Sequence, residues 1–249
     1  MDKRFWAVIG AIGVIFIGII WANGRNASAP SSSDAGAATS HLTASTSSAV
    51  KLVEYGDFQC PVCGLYEPTV EQVINKYKDQ ISFQYRNFPL QQVHQNAFAA
   101  ARAAEAANNQ SKYWEMHNKL YATQNDWASV ADPVTYFSSL AKQLGLNVDQ
   151  FKSDFTSKKV NDAINADIAE GNKLKVTGTP SFFLNGKQIE LQILVDPVNN
   201  TPTLEKFSAI LDAAIKEQAD KKGSSSATTN SADKSSDDSS GDSQNTSGQ

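Results

Sequence analysis

The sequence predicts an α/β domain in which short strands and amphipathic helices alternate around an inserted block of helices. Three observations predict it. Strand-like runs recur at residues 50–53, 81–88, 181–184 and 188–193, β-branched or alternating apolar and polar with period two. Asn185-Gly186 joins the last two runs, and such a pair between alternating segments is the strongest short-range hairpin signal. Between Pro89 and Val176 the pattern switches to helical spacing, which places about 90–175 as a helical insertion. The folded unit is read as residues 50–220, since both ends of the 249-residue chain differ in composition.

At the N-terminus, Met1-Asp2-Lys3-Arg4 is followed by an uncharged run over residues 5–22, with Trp6 and Trp21 near its two ends. As a helix it spans about 27 Å, close to the roughly 30 Å hydrocarbon core. Residues 1–22 therefore predict a transmembrane anchor. A cleaved signal peptide competes, because Ala27-Ser28-Ala29 has the small-residue cleavage pattern. Yet the run exceeds the usual apolar segment of about 7–15 residues, and Pro30 follows the pattern. Lys3 and Arg4 before the span against Arg25 after it place the rest of the chain on the outer side. Residues 23–49 are mostly Ala, Ser and Thr, too poor in large apolar side chains to offset chain entropy, and predict a flexible linker in which His41 is solvated.

The first strand leads into Glu54-Tyr55-Gly56-Asp57-Phe58-Gln59-Cys60-Pro61-Val62-Cys63, which holds the only two cysteines. Residues 61–77 read as a helix, with Pro61 in the first turn, where its missing N–H costs nothing. Cys60 then sits at a helix N-terminus, where unpaired N–H groups and the dipole favour an anion. A thiol so placed can fall from about 8.5 to somewhere in the range of about 3.5–7.5. Cys63, one turn further in, is the shielded resolving thiol. A zinc site would need about four ligands, and His41, His94 and His117 do not stand at ligand spacing. A purely structural bridge would close too short a loop to constrain the unfolded chain much. With no further cysteine, the chain has no structural disulfide of its own and acts on those of others.

The elements that follow are read in order. Residues 81–88 form a second strand ended by Pro89. An alanine-rich helix runs from Val93 to about Ala107, and another from Lys112 puts Tyr113, Met116, Leu120 and Tyr121 on one face. His94 and His117 are read as surface or packing residues. Asp132-Pro133 opens a helix that Gly145 stops. Asn147 opens the next, and Val160, Ile164 and Ile168 extend helical spacing to Gly171. After the hairpin, Thr201-Pro202 caps a last helix with Leu204, Phe207, Ile210, Leu211, Ala214 and Ile215 buried. Residues 221–249 predict a disordered tail of Ser, Thr, Asp, Asn, Gly and Gln. The net charge of −4 and the lack of a basic patch exclude a nucleic-acid partner, and no phosphate-cradling glycine loop is present.

The cysteine segment resembles the active-site region of the DsbA-like thiol:disulfide oxidoreductases of the thioredoxin superfamily. Val176-Thr177-Gly178-Thr179-Pro180 resembles their cis-proline loop, and residues 95–127 resemble their helical insertion. The resemblance implies a thioredoxin fold with a helical insertion. It implies Cys60 and Cys63 as catalytic, with Glu54 as a buried carboxylate serving proton transfer at Cys63. Phe58, Pro61 and Val62 belong to its active-site segment, and Gly178, Thr179 and Pro180 to its substrate loop. It implies no cofactor and no metal. The expected function is disulfide formation in exported proteins carrying cysteine thiols, on the outer side of the membrane, with a membrane redox partner. Val62, where many relatives carry His, and Thr179 leave a reductase or isomerase open, as does a tethered peptide-binding or chaperone module.

Overall fold

The computed structural model describes residues 38–39, 41–42 and 48–229. The predicted anchor and the end of the predicted tail, residues 230–249, lie outside the described residues. No helix among the described residues is long and apolar enough to cross a membrane.

Five strands form one sheet: β1 (His41–Leu42), β2 (Lys51–Gly56), β3 (Ser82–Asn87), β4 (Ser181–Leu184) and β5 (Lys187–Ile189). Their spatial order is β1-β3-β2-β4-β5, with β2 and β3 parallel and every other pair antiparallel. The parallel pair requires a crossover, supplied by α1 (Pro61–Tyr77). The insertion follows β3 as α2 (Ala97–Asn108), α3 (Tyr113–Ala122), the short α4 (Gln124–Trp127), α5 (Pro133–Gln143), α6 (Val148–Phe155) and α7 (Lys158–Lys173). A 3₁₀ turn (Leu191–Ile193) and α8 (Leu204–Thr229) follow β5 among the described residues.

Alternation along β2 divides its side chains between two faces. Leu52 joins the main core with Val70, Val73, Phe83, Phe182 and Phe207, whereas Tyr55 joins a second cluster with Phe88, Val176 and Phe183. Glu54 has the parity of Leu52, so a carboxylate points into the main core. Tyr66 of α1 lies between Phe182 and Phe207, at ring separations of 5.6 and 6.4 Å, tying α1 to β4 and α8. Gly56 is required by close approach, since a Cβ there would meet the Tyr85 hydroxyl at 2.5 Å.

The hairpin turns as predicted, with Asn185 and Gly186 at φ of 51° and 81°, the left-handed pair of a two-residue turn. Asp132 and Asn147 cap α5 and α6 through their side chains. Other expectations need correction. The strand predicted over 188–193 ends at Ile189, which pairs with Phe182 of β4. The chain then folds into the 3₁₀ turn and leaves Ile193 half exposed. The helix predicted from Val93 begins at Ala97, because residues 90–96 are drawn into turns, with the Leu90 N–H donating to Asp57 Oδ2 at 2.9 Å. The last helix begins at Leu204, and Thr203, not Thr201, receives the Lys206 N–H. Pro202 instead bridges to Val195. The tail predicted from 221 is helical as far as Thr229. Extending an existing helix fixes one residue per added hydrogen bond, and a single glycine such as Gly223 costs only about 1 kcal/mol.

The linker prediction also fails at its C-terminal part. His41 and Leu42 pair with Tyr85 and Gln84 as an edge strand. His41 is buried, stacked 3.5 Å from the Tyr113 ring, with Nε2 at 2.7 Å from Glu105 Oε1. What holds this segment is a buried carboxylate. Asp167 on α7 accepts from the Thr39 N–H (2.8 Å), Thr39 Oγ1 (2.7 Å), Arg86 Nη1 (3.0 Å) and the Asn87 N–H (3.0 Å). Its partners lie far away in sequence, so no local pattern discloses it.

Removing one member of such a buried network leaves charges and donors unpaired, at a cost of about 3–5 kcal/mol. Asp167→Ala is expected to lose that much stability in urea unfolding, and to open residues 38–42 to proteolysis before the rest of the domain.

Candidate active site

β2 delivers the chain to Gly56, and a turn built on Asp57 carries it onto α1. Asp57 is buried. Its Oδ1 accepts from the Gln59 N–H at 2.8 Å, and its Oδ2 lies 2.7 Å from His94 Nδ1. Its carbonyl accepts from the Cys60 N–H at 3.0 Å. Cys60 thereby becomes the N-cap of α1 in an extended conformation (φ −69°, ψ 120°), with Pro61 in the first turn.

Both cysteines are free thiols and buried, Cys60 at 6 % exposure and Cys63 at 1 %. The Cys60 Sγ–H donates to the Thr179 carbonyl at 3.4 Å. The environment favours a thiolate at Cys60. The hydrogen bond from Cys63 is the largest cause, followed among the favourable ones by the Thr179 side chain and the N–H groups of Cys63 and Val62. Together they outweigh burial and lower its pKa to about 5. Cys63 goes the other way. Burial pushes its pKa well above the ordinary thiol value, and the bond with Cys60 and the charges of Cys60 and Glu54 push it further. One proton shared between two thiols thus resides on Cys63, and the charge on Cys60.

Glu54 lies in the core behind this pair, 2 % exposed, with Oε2 unpartnered. Burial, then Glu67, then Cys60 raise its pKa well above the carboxylate range. It is a neutral acid held beside a thiol. On the other side of Cys60, Thr179-Pro180 is a cis peptide bond, Pro180 is buried, and the Gly178 carbonyl accepts from Ser181 Oγ at 2.8 Å. A cleft of about 290 Å³ runs along this loop, lined by Thr177, Gly178, Thr179, Pro180 and the 188–192 segment.

Pro61 and Val62 are exposed at the helix start, and Leu65 beside them is half exposed. Phe58, in the same segment, is buried, with Tyr85, Tyr121 and His117 at ring separations of 5.1, 5.1 and 5.3 Å. His117 is a packing residue whose pKa burial lowers to about 4. His94, in contrast, supports the turn through Asp57. Sequence reading also missed the residues of the insertion that hold the active-site turn. Gln124 Nε2 donates to the carbonyls of Phe58 and Cys60 at 2.7 and 3.0 Å. The Asn96 N–H donates to Gln59 Oε1 at 2.6 Å. Nothing local marks them, since they act across the chain. Among the described residues no group of three or more His, Cys, Asp or Glu side chains is placed to hold a metal ion.

Comparison with known proteins bears on what this arrangement is. A family model described as Thioredoxin matches residues 37–213. A curated relative, the Na(+)/H(+) antiporter NhaA 1 of Salinispora arenicola, is 37% identical over 148 residues, covering 59% of this chain and 22% of the antiporter. The chain therefore spans about a fifth of that relative's length. The probable disulfide bond formation protein D of Bacillus anthracis is 33% identical over 146 residues, 55% of this chain and 65% of that protein. In three dimensions the chain is similar to the crystal structure of Wolbachia pipientis alpha-DsbA1, with a TM-score of 0.61 at 22% identity over 74% of this chain and 94% of that one.

The buried acid makes a prediction whose sign is fixed by its environment. A carboxyl whose folded pKa is raised leaves the protein fully stable below its unfolded value of about 4.3 and weakens it as pH rises from there toward the folded value. Glu54→Gln is therefore expected to be more stable than the wild type in urea at pH 7, with the difference vanishing at pH 4.

Proposed function

This chain belongs to the thioredoxin family, and from that premise we propose that it is a thiol:disulfide oxidoreductase that donates disulfides to exported proteins. The observation that carries the direction is the asymmetry of the two thiols, one held as a thiolate near neutral pH and the other as a buried, protonated thiol. The more the reduced form is stabilised, the more strongly the oxidised form takes electrons.

In the oxidised enzyme Cys60 and Cys63 are bridged. A substrate thiolate attacks Cys60 Sγ, the more exposed of the two cysteines; a substrate–Cys60 bond forms and the Cys60–Cys63 bond breaks. Cys63 leaves as a thiolate that cannot stay charged in its apolar surroundings, and the neutral Glu54 carboxyl behind it is the proton donor. A second substrate thiolate then attacks the substrate sulfur of the mixed disulfide. Cys60 departs as the stabilised thiolate, and two electrons have passed from the substrate dithiol to the enzyme. During both steps the substrate backbone lies in the cleft along Thr179-Pro180, where an extended segment can pair with free backbone groups. Re-oxidation reverses the flow to a redox partner in the membrane. The uncharged run over 5–22 anchors the domain outside the cytoplasm, the compartment in which disulfides form and persist.

A reductase reading is favoured by one feature. Val62, exposed between the cysteines, offers no charge or donor to the thiolate, whereas a cation there would raise the oxidising strength.

Equilibration of the soluble domain with glutathione decides between them. A potential nearer about −120 mV is expected for a disulfide donor, and one nearer about −270 mV would make the protein a reductant. Cys63→Ser is expected to accumulate mixed disulfides with exported proteins through Cys60, whereas Cys60→Ser accumulates none.

A further inference from the structure

Among the described residues, Gln124 is the side chain of the helical insertion that bonds the Cys60 carbonyl. Its Nε2 donates at once to the carbonyls of Phe58 (2.7 Å) and Cys60 (3.0 Å), the two acceptors that flank the start of α1. The Cys60 carbonyl already accepts the first helical hydrogen bond, from the Gly64 N–H at 3.1 Å. Two carbonyl oxygens close to the nucleophile carry partial negative charge, and a carboxamide donor held against both offsets it. The approach is close. A Cβ on Gly64 would lie 2.8 Å from Gln124 Oε1, so a side chain at residue 64 would push the carboxamide out of this position. The same turn is held separately by Asn96, whose N–H bonds Gln59 Oε1 (2.6 Å) and whose Nδ2 holds the carbonyls of Trp127 and Val130 (3.1 and 3.0 Å). Mechanical support is thus already provided, and Gln124 alone reaches the carbonyl of the nucleophile itself.

We propose that Gln124 is a positioning residue through which the helical insertion sets the acidity of Cys60, with Gly64 as the gap that admits it. This rests on the redox reading above, because it assigns a source to the acidity on which that reading depends. Positive charge near a group favours its anionic form, and the carboxamide N–H dipoles act on the sulfur in that sense across the carbonyls they bond. Withdrawing the donor makes Cys60 a poorer leaving group and the enzyme a weaker oxidant.

The test is the ionisation of Cys60 in the reduced protein, followed by thiolate absorbance against pH in Cys63→Ser and wild-type backgrounds. Gln124→Ala is expected to raise the Cys60 pKa by about one unit, a tenfold change in thiolate to thiol ratio. Gln124→Glu, whose carboxylate replaces a donor by an acceptor, is expected to raise it further. Gly64→Ala is the discriminating variant. Alanine favours the helix by about 1 kcal/mol, so the urea midpoint should hold or rise while the displaced carboxamide raises the pKa. Gln59→Ala removes the side chain that accepts from the Asn96 N–H and donates to the Ala128 carbonyl, loosening the turn without touching the Cys60 carbonyl, and is expected to lower the urea midpoint with less effect on the pKa. The proposal is overturned if Gln124→Ala and Gly64→Ala titrate like the wild type, or if Gln59→Ala shifts Cys60 as much as Gln124→Ala does. A wild-type Cys60 that titrates near 8.5 overturns the redox reading itself, separately from any effect at Gln124.

Discussion

The structure depends on placing a negative charge on a sulfur atom that is almost buried. Burial alone would keep the Cys60 proton in place. What reverses the balance is a set of donors assembled at one helix start: the Cys63 thiol, the Thr179 side chain, and the N–H groups of Val62 and Cys63. These come from two distant parts of the chain, and a fold is needed to hold them together. The order β3-β2-β4 does so. β2 ends at the turn before Cys60, and β4, paired directly with β2, is entered through the Thr179-Pro180 loop. The two segments that hold the sulfur are thus neighbours in one sheet.

The proton that Cys60 gives up needs an owner, and the core provides one. Cys63 is raised by burial and by its neighbours, and Glu54 is raised by the same apolar surroundings. Placing an acid in the main core costs stability at neutral pH, and its Oε2 has no partner to compensate. The alternation of β2 dictates the choice of face, because residue 54 must point where Leu52 points. The rest of the core absorbs the cost: aromatic side chains from α1, β4 and α8 interlock beneath the site, and the Asp167 network braces its far side.

Much of this was legible in the sequence because it is local. Cys60 as an N-cap follows from a strand, a Gly-Asp break and a proline at the first turn, and the hairpin follows from Asn185-Gly186. The parity of Glu54 follows from period two once Leu52 is known to be inward. What was not legible is long-range. His41 sits in an Ala-Ser-Thr segment and reads as solvated, yet Glu105 and Tyr113, both more than sixty residues away, bury it. Gln124 and Asn96 read as unremarkable polar residues of a helical block, because their partners are carbonyls near residue 59. Phe58 was legible as part of the active-site segment, but not that its ring turns inward onto Tyr85 and Tyr121, partners far along the chain. The strand drawn through Ile193 failed because alternation records only a willingness to pair: pairing with β4 ends at Ile189, and the chain goes on into a 3₁₀ turn.

The claim that joins these observations is that reduced Cys60 is already a thiolate at neutral pH while Cys63 keeps its proton. The pH dependence of the reduction potential measures this directly. Above the Cys60 pKa one proton accompanies two electrons, a slope of about 30 mV per pH unit, and below it two protons do, doubling the slope. A break near pH 5, with the shallower slope from there through pH 8, is the predicted result. A single steep line through pH 5 that breaks only near the ordinary thiol value would contradict the account.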